Sequence, residues 1–332
     1  MSRPVAEGLA AYVGAQLGRP VSIENVVEAS AGARRRNVLF DAVSGGERLE
    51  LCASITPSAA ILLMPTETEA GALRLAEEAK VPVPHVHWVC TDESWVGGPF
   101  FVSTRVAGET VPRRVLRLVE RERIGARLAA QLGDAFARLH AIPVERAPAG
   151  LTRPGSASPV ERALEAMRTQ IDTLWQPAPA LALGLRWLER NAAALPRRLA
   201  IVHGDLRNGN IIVDASGLRA VLDWEGTHLG DPIEDLAWIC LRTWRFGADA
   251  QEVGGFADRA TLVGAYESAG GTFDARAFHW WKVLGTLRWG AGLARQAIGH
   301  MDGSVPSIVM AASGRRVAEL EFDLLTLLTA RQ

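Results

Sequence analysis

Between Ile201 and Gly226 the chain reads IVHGDLRNGNIIVDASGLRAVLDWEG, and His203, Asp205, Asn210, Asp214 and Asp223 bracket two short apolar runs within it. The β-prone runs NIIVD and LRAVLDW, joined through Ser216-Gly217, predict a hairpin with Asp214 as a turn residue. In a hairpin the start of the first strand lies beside the end of the second, so Asn210 and Asp223 fall at one open end. An amide oxygen and a carboxylate placed there are hard ligands, suited to a Mg2+ that also holds phosphates. Asp205 lies on the loop entering the hairpin and can face the same point without being a ligand. One carboxylate to orient and deprotonate a hydroxyl, with an Asn and a second Asp to hold a metal on phosphates, is the layout that phosphoryl transfer needs. The D-x-x-x-x-N spacing matches that of a kinase catalytic loop. Metal-dependent phosphoester hydrolysis generally wants more carboxylate or His ligands than this stretch offers.

These residues need a scaffold on both sides. The chain has 332 residues, 48% hydrophobic and 22% charged, which is a globular composition long enough for two lobes with separate cores. Periodicity predicts a helix over 1–18, strands over 21–32, 35–43 and 47–55, a helix over 66–80, and strands over 81–90 and 97–106. Beyond Gly108 the pattern turns helical, over 113–142, 160–175 and 180–195, with a Pro- and Gly-rich loop at 143–159. The hairpin is the only clear β feature of the second half, and helices follow over 231–244, 256–270, 277–298 and 314–330. The expected fold is α+β, with a small β-rich N-lobe of residues 1–106 joined to a larger, mainly helical C-lobe of residues 107–332. In GDPIEDLAW, Asp231 reads as an N-cap, Pro232 as the first helical residue, and Asp235 falls in the first turn, near the loop it would steady.

The net charge of −1 gives no general pull toward nucleic acid or anionic membrane. Cys52, Cys90 and Cys240 are widely spaced and form no CxxC pair, so neither a disulfide framework nor a zinc site is indicated. No signal-peptide core and no run of transmembrane length is present, so the expectation is a soluble cytoplasmic protein, monomer or homodimer.

HGDLRNGN followed by LDWEGTHLGDPIEDLAW resembles the aminoglycoside phosphotransferase and choline-kinase-like family, small-molecule kinases with a protein-kinase-like, two-lobed fold. The resemblance runs from about residue 20 to about residue 310 by element order. It implies that Asp205 is the catalytic base, that Asn210 and Asp223 bind Mg2+, and that His203 and Asp235 brace the catalytic loop. It also implies an ATP site under the N-lobe loop SAGARRRN, with Gly32, Arg34, Arg35 and Arg36 against the phosphates and Glu69, or its neighbour Glu67, holding a strand cation. Cys52 stands where that strand Lys or Arg is expected, so Arg48 or one of Arg34, Arg35 and Arg36 takes over, or ATP binding is weak. GGPFFVSTRVAG resembles the inter-lobe hinge, where backbone groups near Ser103 and Arg105 would read adenine.

The family's acceptor site lies in the helical lobe, where Arg242, Trp244, Trp281 and Arg288 are the candidate substrate contacts. Trp281, Arg288 and Arg295 recur at heptad spacing. Trp and Arg surfaces suit an apolar or anionic ligand, whereas a polycationic aminoglycoside wants Asp and Glu. AVLDWEGTHLGDPIEDLAW is nearer to a branch that includes kinase-like domains fused to some acyl-CoA dehydrogenases, a branch associated with hydroxylated acyl substrates. The expected activity is an ATP- and Mg2+-dependent phosphotransfer to the hydroxyl of a small molecule. The rival readings are an antibiotic kinase, acting on an aminoglycoside or macrolide, and a catalytically weak kinase-like binding module.

Overall fold

A computed structural model of the chain describes residues 5–29, 35–56, 64–153, 155–193, 195–196 and 198–329. Helix α1 (Val5–Leu17) is followed by β1 (Ser22–Ala29), β2 (Arg36–Ser44), β3 (Glu47–Ile55), α2 (Thr66–Glu78), β4 (Val86–Cys90) and β5 (Phe100–Thr104). The five strands form one antiparallel sheet in the order β1-β2-β3-β5-β4. Strand alternation divides its side chains between two faces. Val38, Phe40, Leu51, Ala53, Phe100 and Val102 form one core with Leu9, Tyr12 and Val13 of α1. Phe101 looks the other way and joins a core shared with α2 and the helices beyond. Cys52, paired with Leu39 and Ser103, has the same parity as this second face. The sheet face away from α1 is therefore the one that meets the second half of the chain.

The second half runs through α3 (Pro112–Glu122), α4 (Gly125–His140), α5 (Pro159–Asp172), α6 (Pro179–Asn191), β6 (Ala200–Val202), β7 (Ile211–Asp214), β8 (Gly217–Val221), β9 (His228–Gly230), α7 (Ile233–Ile239), α8 (Arg259–Ser268), α9 (Ala275–Met301), α10 (Ile308–Ser313) and α11 (Val317–Thr329). Helix α9 is the axis of this half. Its buried Phe278, Trp280, Trp281, Leu284 and Leu287 are apolar on several sides, and it packs on α6, α7 and α11.

Two sequence expectations need correction. The single helix over 113–142 is two helices, broken where Arg123 takes a left-handed conformation (φ 53°). The break lets α4 begin at Gly125 directly against Phe256, whose carbonyl oxygen would lie 2.3 Å from a Cβ at that position. The hairpin is also not the only β feature, because β6 and β9 pair antiparallel around it, from Ala200 with Gly230 to Val202 with His228.

The hairpin of β7 and β8 touches both halves. Glu109, just after β5 and the residues that follow it, exchanges two backbone hydrogen bonds with Val213 (2.8 and 3.0 Å), and the Val221 N–H donates to the Pro82 carbonyl at 2.8 Å. Gly108 makes the approach possible, with φ 146° and a Cβ position only 2.5 Å from Ile212 Cγ2.

Candidate active site

The hairpin holds Asn210 and Asp223 together. Ile211 pairs with Val221 in the ladder, and the Leu222 N–H donates to the Asn210 carbonyl at 2.8 Å, so Asp223 is the next residue past the last pair. Asp214 accepts the Ser216 N–H at 2.7 Å and is the turn residue that its position suggests. The Asn210 amide donates to the Asp205 carbonyl (2.8 Å) and to Asp205 Oδ2 (2.9 Å). Both bonds use the NH2 group, so the amide oxygen is the atom left for a cation. Asp223 is open at its edge, in a left-handed backbone conformation (φ 65°). Its carboxyl is pushed up to about 7, first by burial of the group among neighbouring atoms and then by the charges of Glu225, Asp205 and Glu69.

The loop between β6 and β7 is held from beneath. The Asp205 N–H donates to His203 Nδ1 (3.2 Å), which leaves the proton on Nε2, and Nε2 donates to the Leu222 carbonyl (3.0 Å). His203 is fully buried, and burial pulls its pKa below the ordinary value, so the ring is a neutral strut between loop and hairpin. Asp235, on the first turn of α7, accepts the N–H groups of His203 and Gly204 at 2.8 Å each. It also accepts from His140 Nε2 at 3.1 Å, and His140 Nδ1 lies 3.1 Å from the Tyr266 hydroxyl on α8. Burial alone would raise the Asp235 carboxyl. The hydrogen bond and charge of His140, with His203, outweigh burial and hold it below the usual carboxylate range. Gly204 has φ 78° and passes the 224–226 turn so closely that a Cβ would sit 2.4 Å from the Gly226 oxygen. Asp231 accepts the Ile233 N–H at 2.9 Å, so it caps α7 as expected, one residue further out because the helix starts at Ile233.

The N-lobe side of the site, where the sequence suggests phosphate contacts, is built differently. Gly32 and Arg34 lie outside the described residues. Arg35 forms an ion pair with Glu69, and its Nε is 3.8 Å from Glu225 Oε2 beside Asp223. Burial pushes the Glu69 carboxyl up against the pull of Arg35. Arg36 turns outward to Glu28 at 2.8 Å on an exposed edge. Arg48 is paired with Asp41 and, at 2.8 Å, with Glu24. Among the described residues named as replacements for the strand cation, Arg35 is therefore the one beside the carboxylates of the site. The Cys52 thiol is pushed up to about 11 by burial and stays neutral. Ser103 is buried in the sheet, and the N–H groups of Thr104 and Arg105 are engaged with the His85 and Glu50 carbonyls at 2.9 Å. The Arg105 side chain pairs with Asp41 (2.9 Å) and Glu50.

The four candidate substrate contacts separate. Arg242 pairs with Asp249 (2.8 Å) in the loop that follows and ties the 242–245 turn to α11 through Asp323 (3.0 Å). Trp281 is 2% exposed and packed in the main core against Trp280. Trp244 and Arg288 do approach the catalytic loop. The Arg207 guanidinium lies 4.5 Å over the Trp244 ring, and Arg288 donates to the Gly204 carbonyl at 3.1 Å. Four neighbours were not singled out from the sequence as site residues: His140, Arg207, Tyr266 and Trp238, whose indole N–H donates to Asp205 Oδ1 at 2.8 Å. Trp238 follows Asp235 by three residues on α7, a spacing that places both on one helix face and could have flagged it.

The sequence profile of the phosphotransferase enzyme family matches residues 25–272. The chain belongs to the phosphotransferase enzyme family. Mouse acyl-CoA dehydrogenase family member 10 is 30% identical over 181 residues, which is 53% of this chain and 16% of that protein. The chain thus spans under a fifth of that relative's length. A Ralstonia eutropha protein provisionally named an aminoglycoside phosphotransferase superposes with a TM-score of 0.72 at 23% identity, covering 98% of this chain and 99% of its own. A thermostable mutant of aminoglycoside phosphotransferase APH(4)-Ia, solved with AMP-PNP and hygromycin B, superposes at 0.65 with 17% identity, covering 96% and 99%. The fold of this phosphotransferase is accordingly protein-kinase-like, α+β and two-lobed. No described helix is long and apolar enough to cross a membrane.

Proposed function

We propose that this phosphotransferase moves the γ-phosphoryl group of ATP to a hydroxyl of a small molecule with the help of Mg2+. The observation that carries the reading is the pairing of Asp205 with Asn210, which uses the amide NH2 and leaves the amide oxygen at the hairpin end that also carries Asp223. The donor chemistry fits Mg2+. Asn210 and Asp223 offer two oxygens, and Asp205, Glu69 and Glu225 add negative charge that a divalent ion would balance. Bound there, Mg2+ would neutralise the phosphates. Asp205 orients the acceptor hydroxyl and takes its proton, while Arg35, held by Glu69, supplies the phosphate-side cation that Cys52 cannot. Catalysis is then mainly positioning and charge stabilisation.

The acceptor is best matched by a hydroxyacyl-type metabolite. Between Asp231 and Asp258 each carboxylate is paired with a cationic side chain or a buried His, or caps a helix, which leaves little acidic lining for a polycation. The similarity to an acyl-CoA dehydrogenase family member points the same way. The test is a thermal-shift titration with Mg-ATP on the native protein and on Asp223→Ala, since a ligand that binds the folded state raises Tm by mass action. A shift that the variant loses supports the reading, and no shift of the native protein at millimolar Mg-ATP sinks it.

A further inference from the structure

The Asp205 carboxylate offers about four lone-pair directions. Oδ1 receives the Trp238 indole N–H at 2.8 Å and the Arg207 Nε–H at 3.3 Å, and Oδ2 receives the Asn210 amide at 2.9 Å. The direction that remains is on Oδ2. Trp238 is 4% exposed, and its indole N–H donates to this oxygen from within the core. The ring is itself fixed. The Arg288 guanidinium lies 4.2 Å over it while donating to Glu234 Oε1 (2.8 Å) and to the Gly204 carbonyl (3.1 Å). The rings of Trp244 and Trp289 lie at 5.4 and 6.3 Å from it.

We propose that Trp238 is a positioning residue for the transfer. Its indole N–H, with Arg207, occupies Oδ1 of Asp205 and leaves Oδ2 as the oxygen that takes the acceptor's proton. This rests on the reading of Asp205 as the base. In the step itself the acceptor oxygen bonds to the γ-phosphorus, and the bond from that phosphorus to the β–γ bridging oxygen breaks. ADP leaves with that electron pair, and the hydroxyl proton passes to Asp205 Oδ2. Because Asn210 donates to the same Oδ2, the proton arrives on the side of the carboxylate that faces the hairpin end.

Trp238→Phe keeps a ring under Arg288 and removes only the N–H donor and part of the indole. The assay is ADP formation from Mg-ATP with water as acceptor, resolved into kcat and KM. The expected result is a kcat lower by roughly ten- to a hundred-fold, the scale of a hydrogen bond to a charged group, with KM for Mg-ATP within about two-fold. A second readout uses the native protein: in 1H–15N spectra one indole N–H resonance moves on Asp205→Asn and is absent in Trp238→Phe. A kcat within about two-fold of native overturns the proposal, as does an indole region that ignores Asp205→Asn. Native protein that turns over normally while Trp238→Phe is unaffected removes the positioning role alone. Native protein that neither binds nor turns over Mg-ATP removes the assignment of Asp205 and this proposal with it.

Discussion

The two sides of the site are stabilised in opposite ways. The catalytic loop rests on a closed set of hydrogen bonds, in which Asp235 receives two backbone N–H groups and His140, and His203 links the loop to the hairpin. His203 and Asp235 are buried, and Asp235 alone collects three donors. The phosphate side depends on one side chain, Arg35, which enters from the start of β2 and is held by Glu69 with Glu225 nearby. The contrast teaches that the loop carrying Asp205 is held by a network, whereas the N-lobe side of the site hangs on one ion pair. On the function proposed above, Arg35 would supply the cation missing at Cys52, a relocation within the fold.

The sharpest break of the comparison is at the loop's reactive end. Asp205→Ala is expected to lower ADP formation by about 10²–10⁴-fold while the Mg-ATP thermal shift survives, read by coupled ADP assay and melting curves. On the other side, Arg35→Ala removes the cation and leaves Glu69, 2% exposed, buried without it. Stability should fall by about 3–5 kcal/mol in chemical denaturation and the Mg-ATP shift should shrink, with Arg35→Lys recovering part of both. An Arg35→Ala variant with native nucleotide affinity would show that the relocation is only structural.

Asp235→Asn tests the network. One oxygen can still accept an N–H, but the new amide faces a second donor, so a loss of about 1–3 kcal/mol is expected by denaturant titration. A milder effect comes from Asp231, 1% exposed, whose carboxyl burial pushes up to about 6. Its folded pKa lies above its unfolded value, so the folded state holds the proton more tightly, and stability falls as pH rises from about 4 to about 6. Asp231→Asn keeps an acceptor for the cap and removes the charge. It should gain up to about 2 kcal/mol at pH 7.5 and nothing near pH 3.5, measured by denaturant melts at both values. Smallest of all, Arg36→Ala should leave both Tm and the Mg-ATP shift unchanged, because that arginine pairs with Glu28 at an exposed edge. A loss of nucleotide binding there would move the phosphate contact one residue along the chain.

What could be read from the sequence follows the same division. Asn210, Asp223 and Asp214 were legible because a hairpin's geometry is local, and Asp235 because a helix start carries its own signals. His140 and Tyr266 reach the loop from α4 and α8, and β9 returns to β6 across the whole hairpin, so no local pattern records either contact. The break at Arg123 escaped for a related reason: it accompanies a long-range approach of Gly125 to Phe256, and RERIGAR alone keeps good helix formers on both sides. The loop candidate SAGARRRN suggested a cation for this side without saying which of Arg35 and Arg36 turns inward. That choice is made by Glu69, a residue of α2.

The stitching of Glu109 to Val213 and of Pro82 to Val221 has a mechanical consequence. A swing of the sheet against the helices must turn about the points where the two are fastened, and those points lie on the hairpin. Whatever is near a pivot is displaced least. Asn210 and Asp223, at the end of the hairpin, would therefore keep their separation in any such swing.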